Sequence, residues 1–378
     1  MTPSYDVIVI GTGGMGSAAC LHAARRGARV LGLEQFQIAH DRGSSHGETR
    51  IVRRAYFEHA DYVPLLKRAF ELWDELEHDS HEPIIVRNGM VVFGDPEKSL
   101  ACSGSIAAAK EHGIPIQIWE PEEARRKFPI YRPPAGFIGV FEPGAGFVHV
   151  ERAVAAHARL AREAGAEIRE GESVLGWKRE GGGYEVKTDR GRYAAAKLVV
   201  TGGSWSSRLL TELGLPLKLR RMIPCWFGAS EEHSLEFDVP CFAFDLDEDF
   251  YYGFPMLDGR TVKIAPHRVG ETIDDPSERD VKEVPESELK ALRSFISRML
   301  PRMTTELDRF SPCIYTLTPD EHFILDRHPD DEGVHFFAGS SGHGFKFTPV
   351  VGEILAELAL EGKTRHPAAF LGLSRLGK

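Results

Sequence analysis

A glycine pattern near the start of the chain constrains the fold more than any other feature. Gly11, Gly13 and Gly16 are spaced as G-x-G-x-x-G directly after a short apolar run. The first glycine permits a tight turn, the second lets the backbone approach a pyrophosphate, and the third lets a helix pack closely against a sheet. Unpaired N–H groups at the start of that helix attract phosphate. The pattern therefore predicts a dinucleotide site.

The segments around these glycines complete a strand, helix and strand. Residues 5–10 are rich in β-branched residues, residues 17–26 alternate small, apolar and basic side chains, and residues 28–34 return as an apolar strand. Glu34, eighteen residues after Gly16, ends the second strand, where it can accept hydrogen bonds from ribose hydroxyls. Because an acid disfavours a 2′-phosphate, FAD or NAD is preferred over NADP. The motif fits both FAD and NAD.

Length, charge and cysteine usage narrow the classes of function. A chain of 378 residues exceeds the size at which one core keeps growing, so we expect two domains. The net charge of −10 argues against nucleic acid and anionic membranes, and no apolar run reaches the ~20 residues of a membrane span. The five cysteines are widely spaced without a CxxC pair, which argues against a disulfide framework and a zinc site. We expect a cytoplasmic protein without a metal.

The rest of the chain predicts a second domain inserted into the first. Short aromatic-rich strands in residues 219–319 suit an antiparallel sheet, and proline and glycine cluster between residues 129 and 146, where we expect a domain crossing. The predicted fold class is α/β, with a Rossmann-like cofactor-binding domain and a discontinuous α+β substrate domain that has a mixed or antiparallel sheet. The cofactor domain would comprise residues 1–85, 145–218 and 320–378, and the substrate domain residues 86–144 and 219–319.

Three further stretches add specific motifs. They are Gly43-Ser-Ser-His-Gly-Glu-Thr-Arg-Ile-Val-Arg53, Cys313-Ile-Tyr-Thr-Leu-Thr-Pro-Asp-Glu-His-Phe-Ile-Leu-Asp326 and Gly339-Ser-Ser-Gly-His-Gly-Phe-Lys-Phe347. Together with the glycine pattern they resemble the monomeric sarcosine oxidase family, which includes N-methyltryptophan oxidase and is related to fructosyl-amino-acid oxidases. The similarity runs from about residue 5 to residue 366. It implies FAD rather than NAD, a p-hydroxybenzoate-hydroxylase-like fold, and oxidation of secondary amino acids by oxygen.

Cys313 is the residue whose interpretation this resemblance changes most. A lone cysteine is ordinarily a small buried hydrophobe. In the family, the cysteine of the matching motif carries the flavin through a thioether at the 8α carbon, where the electron-poor ring makes the methyl group acidic. The resemblance therefore implies covalent FAD at Cys313. It also places Gly14, Val174, Gly342 and Gly344 among the cofactor contacts.

Basic residues far apart in the chain acquire roles from the same resemblance. Lys263 would lie over the flavin, where a cation stabilises charge developing on oxygen. Arg53 and Lys346 would converge on the substrate carboxylate, for which arginine offers a bidentate fork and lysine a point charge. His46 and Arg50 would lie against the flavin ring, where positive charge favours the reduced anion. The steps of four and three between His46, Arg50 and Arg53 would place them on one face of a helix.

Tyr252, His267 and Tyr315 complete the predicted site. Aromatic residues in strands are mostly core residues. By resemblance, Tyr252 and His267 influence protonation of the substrate amine and Tyr315 lies beside the cysteinyl linkage. One departure is visible, because many relatives carry two adjacent histidines where this chain has Ser45 and His46.

The resemblance implies a monomeric oxidase of a small N-methyl amino acid such as sarcosine, with hydrogen peroxide as a product. N-methyltryptophan, pipecolate and fructosyl amino acids stay open as substrates. Three other classes stay open as well: a flavin dehydrogenase with another electron acceptor, an NAD-dependent dehydrogenase, and a flavin-binding module without catalysis. Retention of Lys263, Arg53 and Lys346 at matching positions favours the oxidase.

Overall fold

The computed structural model describes residues 4–377 as an α/β protein with two large sheets. The strands, in chain order, are β1 (Tyr5–Ile10), β2 (Val30–Leu33), β3 (Thr49–Val52), β4 (Ile85–Val86), β5 (Met90–Gly94), β6 (Gln117–Trp119), β7 (Ile138–Glu142), β8 (Gly146–His149), β9 (Glu167–Arg169), β10 (Val174–Glu180), β11 (Gly183–Thr188), β12 (Arg192–Val200), β13 (Lys218–Met222), β14 (Cys225–Ala229), β15 (Cys241–Asp245), β16 (Phe250–Gly253), β17 (Thr261–Pro266), β18 (Glu271–Ile273), β19 (Met303–Phe310), β20 (Cys313–Leu317), β21 (Ile324–His328) and β22 (Asp331–Ala338). The α-helices are α1 (Gly14–Arg25), α2 (Tyr62–Ser80), α3 (Leu100–His112), α4 (Pro121–Lys127), α5 (Val150–Glu163), α6 (Ser206–Leu209), α7 (Glu286–Met299) and α8 (Thr348–Glu361).

The first sheet is built around β1, which pairs in parallel with both β2 and β12. Strand β9 extends it beyond β2, while β22 joins β12 in parallel. Val7 and Val9 face a core shared with α1, α2, α5 and α8, whereas Ile8 and Ile10 face a second core. Burial on both faces explains why the β1 sequence is continuously apolar. The predicted strand, glycine turn, helix and strand are confirmed.

The second sheet has the order β19-β14-β17-β16-β15-β5-β7-β6. Its pairings are antiparallel except for the parallel pair β15 and β5, so the predicted mixed sheet is confirmed. One face packs on α7 through Phe295 and Ile296, and the other face carries Met90, Phe250 and Phe254. The strands come from segments 90–142 and 225–310 of the chain. The exact domain boundaries given above stay a prediction.

Two three-stranded sheets complete the strand pairings. Strand β13 pairs with β18 and β20, and β8 pairs with β3 and β4. These pairings fix Cys313 at the start of β20, opposite Met222, and fix Arg50 in β3, opposite Val148. None of the helices within residues 4–377 combines the length and apolar character that crossing a membrane requires.

One local prediction was wrong. The segment from His46 to Arg53 is a turn followed by β3 rather than a helix. Gly47 and Glu48 have φ values of +86° and +71°, which a right-handed helix excludes. The three basic residues therefore do not share a helical face.

The close approach at Gly16 predicts a stability difference between two glycine substitutions. A Cβ at Gly16 would collide with the carbonyl oxygen of Gly11, whereas a Cβ at Gly13, where φ is −64°, would meet nothing nearer than the Ser45 Oγ at 3.8 Å. We expect Gly16→Ala to lower the free energy of unfolding by about 1–3 kcal/mol. Gly13→Ala should change it by less than about 0.5 kcal/mol. Urea unfolding of both variants tests this, and equal losses would contradict it.

Candidate active site

A large cleft lies where the carboxyl ends of β1 and β2 meet the start of α1. It holds about 1410 Å³ of empty space, including the solvent at its open mouth. The predicted residues that line it are Gly11, Gly13, Gly14, Glu34, Arg50, Val174, Cys313, Tyr315, Gly342 and Gly344. Gly16 is not among the lining residues, because it faces the sheet at Gly11. A ligand in this cleft lies at the edge where parallel α/β sheets bind nucleotides.

Glu34 is buried at the wall of the cleft, with its carboxylate held by the backbone. Its Oε2 accepts a hydrogen bond from the Thr12 N–H at 2.9 Å, and its Oε1 accepts one from the Phe36 N–H at 3.1 Å. A β-carbon at Gly13 would stand free in the same cleft. A fixed acceptor beside a bare backbone fits the ribose and pyrophosphate of a dinucleotide.

Ser45, which departs from the histidine of many relatives, has a structural role here. Its Oγ accepts a hydrogen bond from the Gly14 N–H at 3.2 Å. Gly14 is the first residue of α1, so Ser45 satisfies one of the N–H groups that a helix leaves unpaired at its start. This hydrogen bond therefore links the loop before β3 to the glycine turn.

Cys313 lies beside Arg50 at the inner end of the cleft. The thiol is buried, and its Sγ accepts a contact from the Arg50 Nη2 at 3.6 Å. The same guanidinium donates to the carbonyl oxygens of Thr49 at 2.8 Å and Ser44 at 2.9 Å. Arg50 is thus fixed by three partners from two parts of the chain.

A smaller cavity of about 560 Å³ adjoins the cleft. Arg50, Tyr315 and Gly342 line both spaces, so a ligand in one can touch a ligand in the other. Six further polar groups line only the second cavity, namely Arg53, Glu58, Tyr252, His267, His343 and Lys346. Its apolar wall consists of Ile51, Phe57, Met90 and Phe250. The structure therefore brings the predicted substrate residues together.

Arg53 is paired with a carboxylate that sequence reasoning missed. Its Nη2 donates to both carboxylate oxygens of Glu58, at 2.9 and 2.7 Å, and its guanidinium lies 4.0 Å from the ring centre of Phe57. Burial would raise the pKa of Glu58, but Arg53 and the nearby Lys346 outweigh it and lower this pKa to about 2. Glu58 is therefore an anion. In the sequence, Glu58 lies five residues after Arg53, and this short separation was the signal that could have identified the pair.

Lys346 is buried, and its Nζ donates to the carbonyl oxygen of His343 at 2.7 Å. Burial lowers the pKa of Lys346 to about 7, with Glu58 acting in the opposite direction. The backbone of Lys346 is held by Trp73, whose indole N–H donates to the Lys346 carbonyl oxygen at 3.0 Å. Trp73 lies among the buried apolar residues of α2, and nothing in that sequence pattern marks it as a hydrogen-bond donor.

His267, Tyr315 and Tyr252 form a polar row along the second cavity. The Tyr315 hydroxyl lies 3.2 Å from the His267 Nδ1 and 3.5 Å from the Tyr252 hydroxyl. Burial lowers the pKa of His267 to about 4 and raises the pKa of both tyrosines. All three side chains are therefore neutral near pH 7, and they can hold a polar group by hydrogen bonds without changing its charge.

His343 is a second residue that the sequence did not single out. Its Nδ1 forms a short hydrogen bond with the Tyr56 hydroxyl, and its Nε2 lies 2.9 Å from the Glu321 carbonyl oxygen. The loop from Ser340 to Phe345 is thereby tied to the segment that follows β3. The flanking Gly342 and Gly344 indicate a close approach of the backbone and give no sign of a role for the His343 side chain.

Lys263 and His46 lie next to this site but line neither cavity. The Lys263 Nζ donates to the carbonyl oxygens of Gly47 at 2.6 Å and Thr49 at 3.0 Å. Burial, followed by the positive charge of Arg50, lowers the pKa of His46 to about 3. His46 is therefore neutral near pH 7, and Arg50 rather than His46 supplies positive charge at the cleft. The His46 Nε2 is buried without a hydrogen-bond partner in the described part of the chain.

One group of metal-ligand side chains lies elsewhere, at the end of α8. Glu353, Glu357 and His366 have ligand atoms within 4.8 Å of one another. Arg68 donates to both oxygens of Glu353 at 3.0 Å, and Arg365 donates to its Oε1 at 2.9 Å. These arginines balance the charge of the carboxylate. The three side chains are therefore part of an ion-pair network that joins α2 and α8.

The fold and the cavities define a nucleotide-cofactor enzyme with a small pocket, lined by Arg53 and Lys346, beside the cofactor cleft. A family model described as FAD dependent oxidoreductase matches residues 6–358, and the chain belongs to this family. It is 41% identical over 393 residues to monomeric sarcosine oxidase of Streptomyces avermitilis, covering 100% of this chain and 99% of that protein. It is 37% identical to N-methyl-L-tryptophan oxidase of Salmonella dublin, covering 95% of each chain.

A solved structure of NikD, an amino acid oxidase essential for nikkomycin biosynthesis, superposes with a TM-score of 0.86 at 28% sequence identity. The match covers 98% of each chain. The two-sheet architecture is therefore shared with an amino acid oxidase.

Carboxylate binding in the second cavity is expected to weaken as the pH rises above about 7. The Lys346 ammonium is present below its pKa of about 7 and is lost above it. Since a bound carboxylate favours the charged form, affinity should fall by up to about tenfold per pH unit above this value. Calorimetric titration with propionate across this range measures the effect. Lys346→Met should bind propionate weakly at all these pH values, and an unchanged pH dependence in this variant would contradict the assignment.

Proposed function

We propose that this protein is an FAD-dependent oxidase of a small secondary amino acid, with sarcosine as the reference substrate and oxygen as the electron acceptor. The observation that carries the proposal is the cation pair of Arg53 and Lys346 in a small cavity that opens onto the cofactor cleft. The resemblance of the chain to sarcosine and N-methyltryptophan oxidases supports the same substrate class. For sarcosine the products are glycine, formaldehyde and hydrogen peroxide.

The charges in the second cavity favour a ligand with one carboxylate. Three cations line this cavity, namely Arg50, Arg53 and, below about pH 7, Lys346. Glu58 supplies one negative charge. Positive charge is therefore in excess in the cavity, and a substrate carboxylate would reduce that excess. In the structure Glu58 occupies both Nη2 contacts of Arg53, so the carboxylate must share or displace that pairing.

The polar row of His267, Tyr315 and Tyr252 would orient the amine. The chemistry supplied by bound FAD is acceptance of a hydride equivalent from the carbon next to the nitrogen, which requires a neutral amine. A buried pocket that contains Arg50 disfavours an ammonium by desolvation and by repulsion. The uncharged imidazole and phenols can accept or donate hydrogen bonds to the neutral nitrogen.

The oxygen half of the reaction is assigned to Lys263. This ammonium donates to the Thr49 carbonyl, which also accepts from Arg50 at the cleft. A fixed cation close to the redox centre stabilises charge as it moves onto oxygen. We further propose that the protein is a cytoplasmic monomer, since one of its relatives is named monomeric and its five cysteines are free.

Oxidase activity is tested by adding sarcosine, N-methyltryptophan, pipecolate, proline and fructosyl-glycine to the purified protein. We expect the flavin absorbance to bleach and hydrogen peroxide to form in a one-to-one ratio with sarcosine consumed. Arg53→Met should raise the KM for sarcosine by about 100-fold, because a charged bidentate hydrogen bond contributes about 3 kcal/mol. Bleaching without peroxide would identify a dehydrogenase with another acceptor. A protein without a flavin band would contradict the proposal.

We propose that FAD is attached covalently to Cys313. The support is the position of its buried Sγ, which lines the cleft beside Arg50. After denaturing electrophoresis, flavin fluorescence should stay with the wild-type band and with Cys225→Ser, a buried cysteine that lines neither cavity. It should be lost from the band of Cys313→Ser, although the native variant still binds FAD. Complete release of flavin from the wild type on acid precipitation would overturn this assignment.

A further inference from the structure

The turn directly before β3, formed by residues 46–49, has an unusual conformation that its neighbours must hold. Gly47 and Glu48 both lie in the left-handed region, with φ values of +86° and +71°. For a residue with a side chain, such as Glu48, this conformation costs about 1 kcal/mol or more and persists only where surrounding contacts impose it. The turn leads directly into Thr49 and Arg50, so its shape sets where the Arg50 guanidinium lies.

Glu151, in the first turn of α5, binds the N–H side of this turn. Its Oε1 accepts hydrogen bonds from the N–H groups of Gly47 at 2.6 Å and Glu48 at 3.1 Å, and its Oε2 lies 3.1 Å from the Glu48 nitrogen. The Val150 N–H donates to the Glu48 carbonyl oxygen at 2.9 Å. The start of α5 and the turn are therefore held together by one carboxylate and one backbone hydrogen bond.

Two cations bind the carbonyl side of the same turn. The Lys263 Nζ donates to the carbonyl oxygens of Gly47 and Thr49, and the Arg50 Nη1 donates to the Thr49 carbonyl as well. Two positive charges that share one carbonyl oxygen repel each other strongly in a protein interior. A nearby negative charge is needed to offset that repulsion, and Glu151 lies across the turn from both cations.

Glu48 is the other carboxylate that raises the pKa of Lys263. It is 47% exposed and is already paired with Arg309, at 3.0 Å, so solvent and that arginine screen its charge. Other neighbours of Lys263 are the rings of Trp226 and Phe254, the Thr49 hydroxyl, the neutral His46 and the thiols of Cys241 and Cys313. Within residues 4–377, Glu151 itself forms no ion pair, so its charge is free to act across the turn.

We propose that Glu151 is a positioning residue that shapes the turn of residues 46–49 and keeps Lys263 in its ammonium form beside Arg50. The inference rests on the proposed function, in which Lys263 serves the reaction with oxygen. Burial and Arg50 both lower the pKa of Lys263, while Glu48 and Glu151 raise it. Lys263 is charged below its pKa, so loss of Glu151 shortens the pH range over which the ammonium exists.

The test compares Glu151→Gln with the wild-type holoenzyme. Glutamine keeps an oxygen that accepts from the turn but removes the charge. In reduced enzyme mixed with oxygen, the pH above which reoxidation slows should move down by about one pH unit. Anaerobic reduction of the flavin by sarcosine should stay within about twofold of wild type. Glu163→Gln, at the far end of the same helix and paired with Arg159, is the matched control and should leave both profiles unchanged.

A direct titration separates this inference from the proposed function. The Lys263 signal in ¹³C-lysine NMR spectra, assigned by its loss in Lys263→Met, reports the lysine charge without any turnover. Its midpoint should fall in Glu151→Gln and stay close to wild type in Glu151→Asp, which retains the charge. An unchanged midpoint in a folded Glu151→Gln would overturn the inference, even if the protein is an oxidase. A lowered midpoint in a protein that oxidises no amine would retain it and reject the function.

Discussion

The shape of both cavities depends on the hydrogen bonds that the guanidinium of Arg50 donates. It donates to the carbonyl of Ser44 in the loop before β3, to the carbonyl of Thr49 in its own strand, and to the thiol of Cys313 at the start of β20. Arginine suits this position because its planar fork offers five donors in fixed directions. Two distant parts of the chain are thereby fixed around one charge, and that charge faces both the cofactor cleft and the second cavity.

Placing several cations in one interior region requires nearby anions. Arg53 is neutralised by Glu58, and the backbone turn that receives Lys263 and Arg50 is held by Glu151. The cost of desolvating a charge is recovered only where partners satisfy it with good geometry. Glu58 binds Arg53 just after β3, whereas Glu151 binds the turn just before β3. The positive charges at the two ends of this strand are therefore balanced by different carboxylates. Carboxylate binding and the reaction with oxygen can thus be served by separate charge pairs.

The sequence predicted the first sheet and the glycine cleft well because both follow from local patterns. Continuous apolar strands, a glycine turn and a terminal acid lie within residues 5–34, so no distant contact is needed to interpret them. The spacing of His46, Arg50 and Arg53 wrongly suggested that they share one face of a helix. Gly47 adopts a left-handed conformation, which an α-helix cannot contain. Glycine between the first two basic residues was the signal against a helix.

The groups that sequence reasoning missed share one property, which is that tertiary contacts create their roles. Trp73 is an ordinary member of an apolar helical stripe until its N–H meets the Lys346 carbonyl, 273 residues away. Glu151 is one more acid in a first helical turn until the turn at Gly47 packs against it. A single sequence carries no record of such contacts. The role of Lys263 depends on tertiary contacts in the same way. Its ammonium lines neither cavity but shares the Thr49 carbonyl with Arg50, so its influence at the cleft depends on how firmly that turn is held.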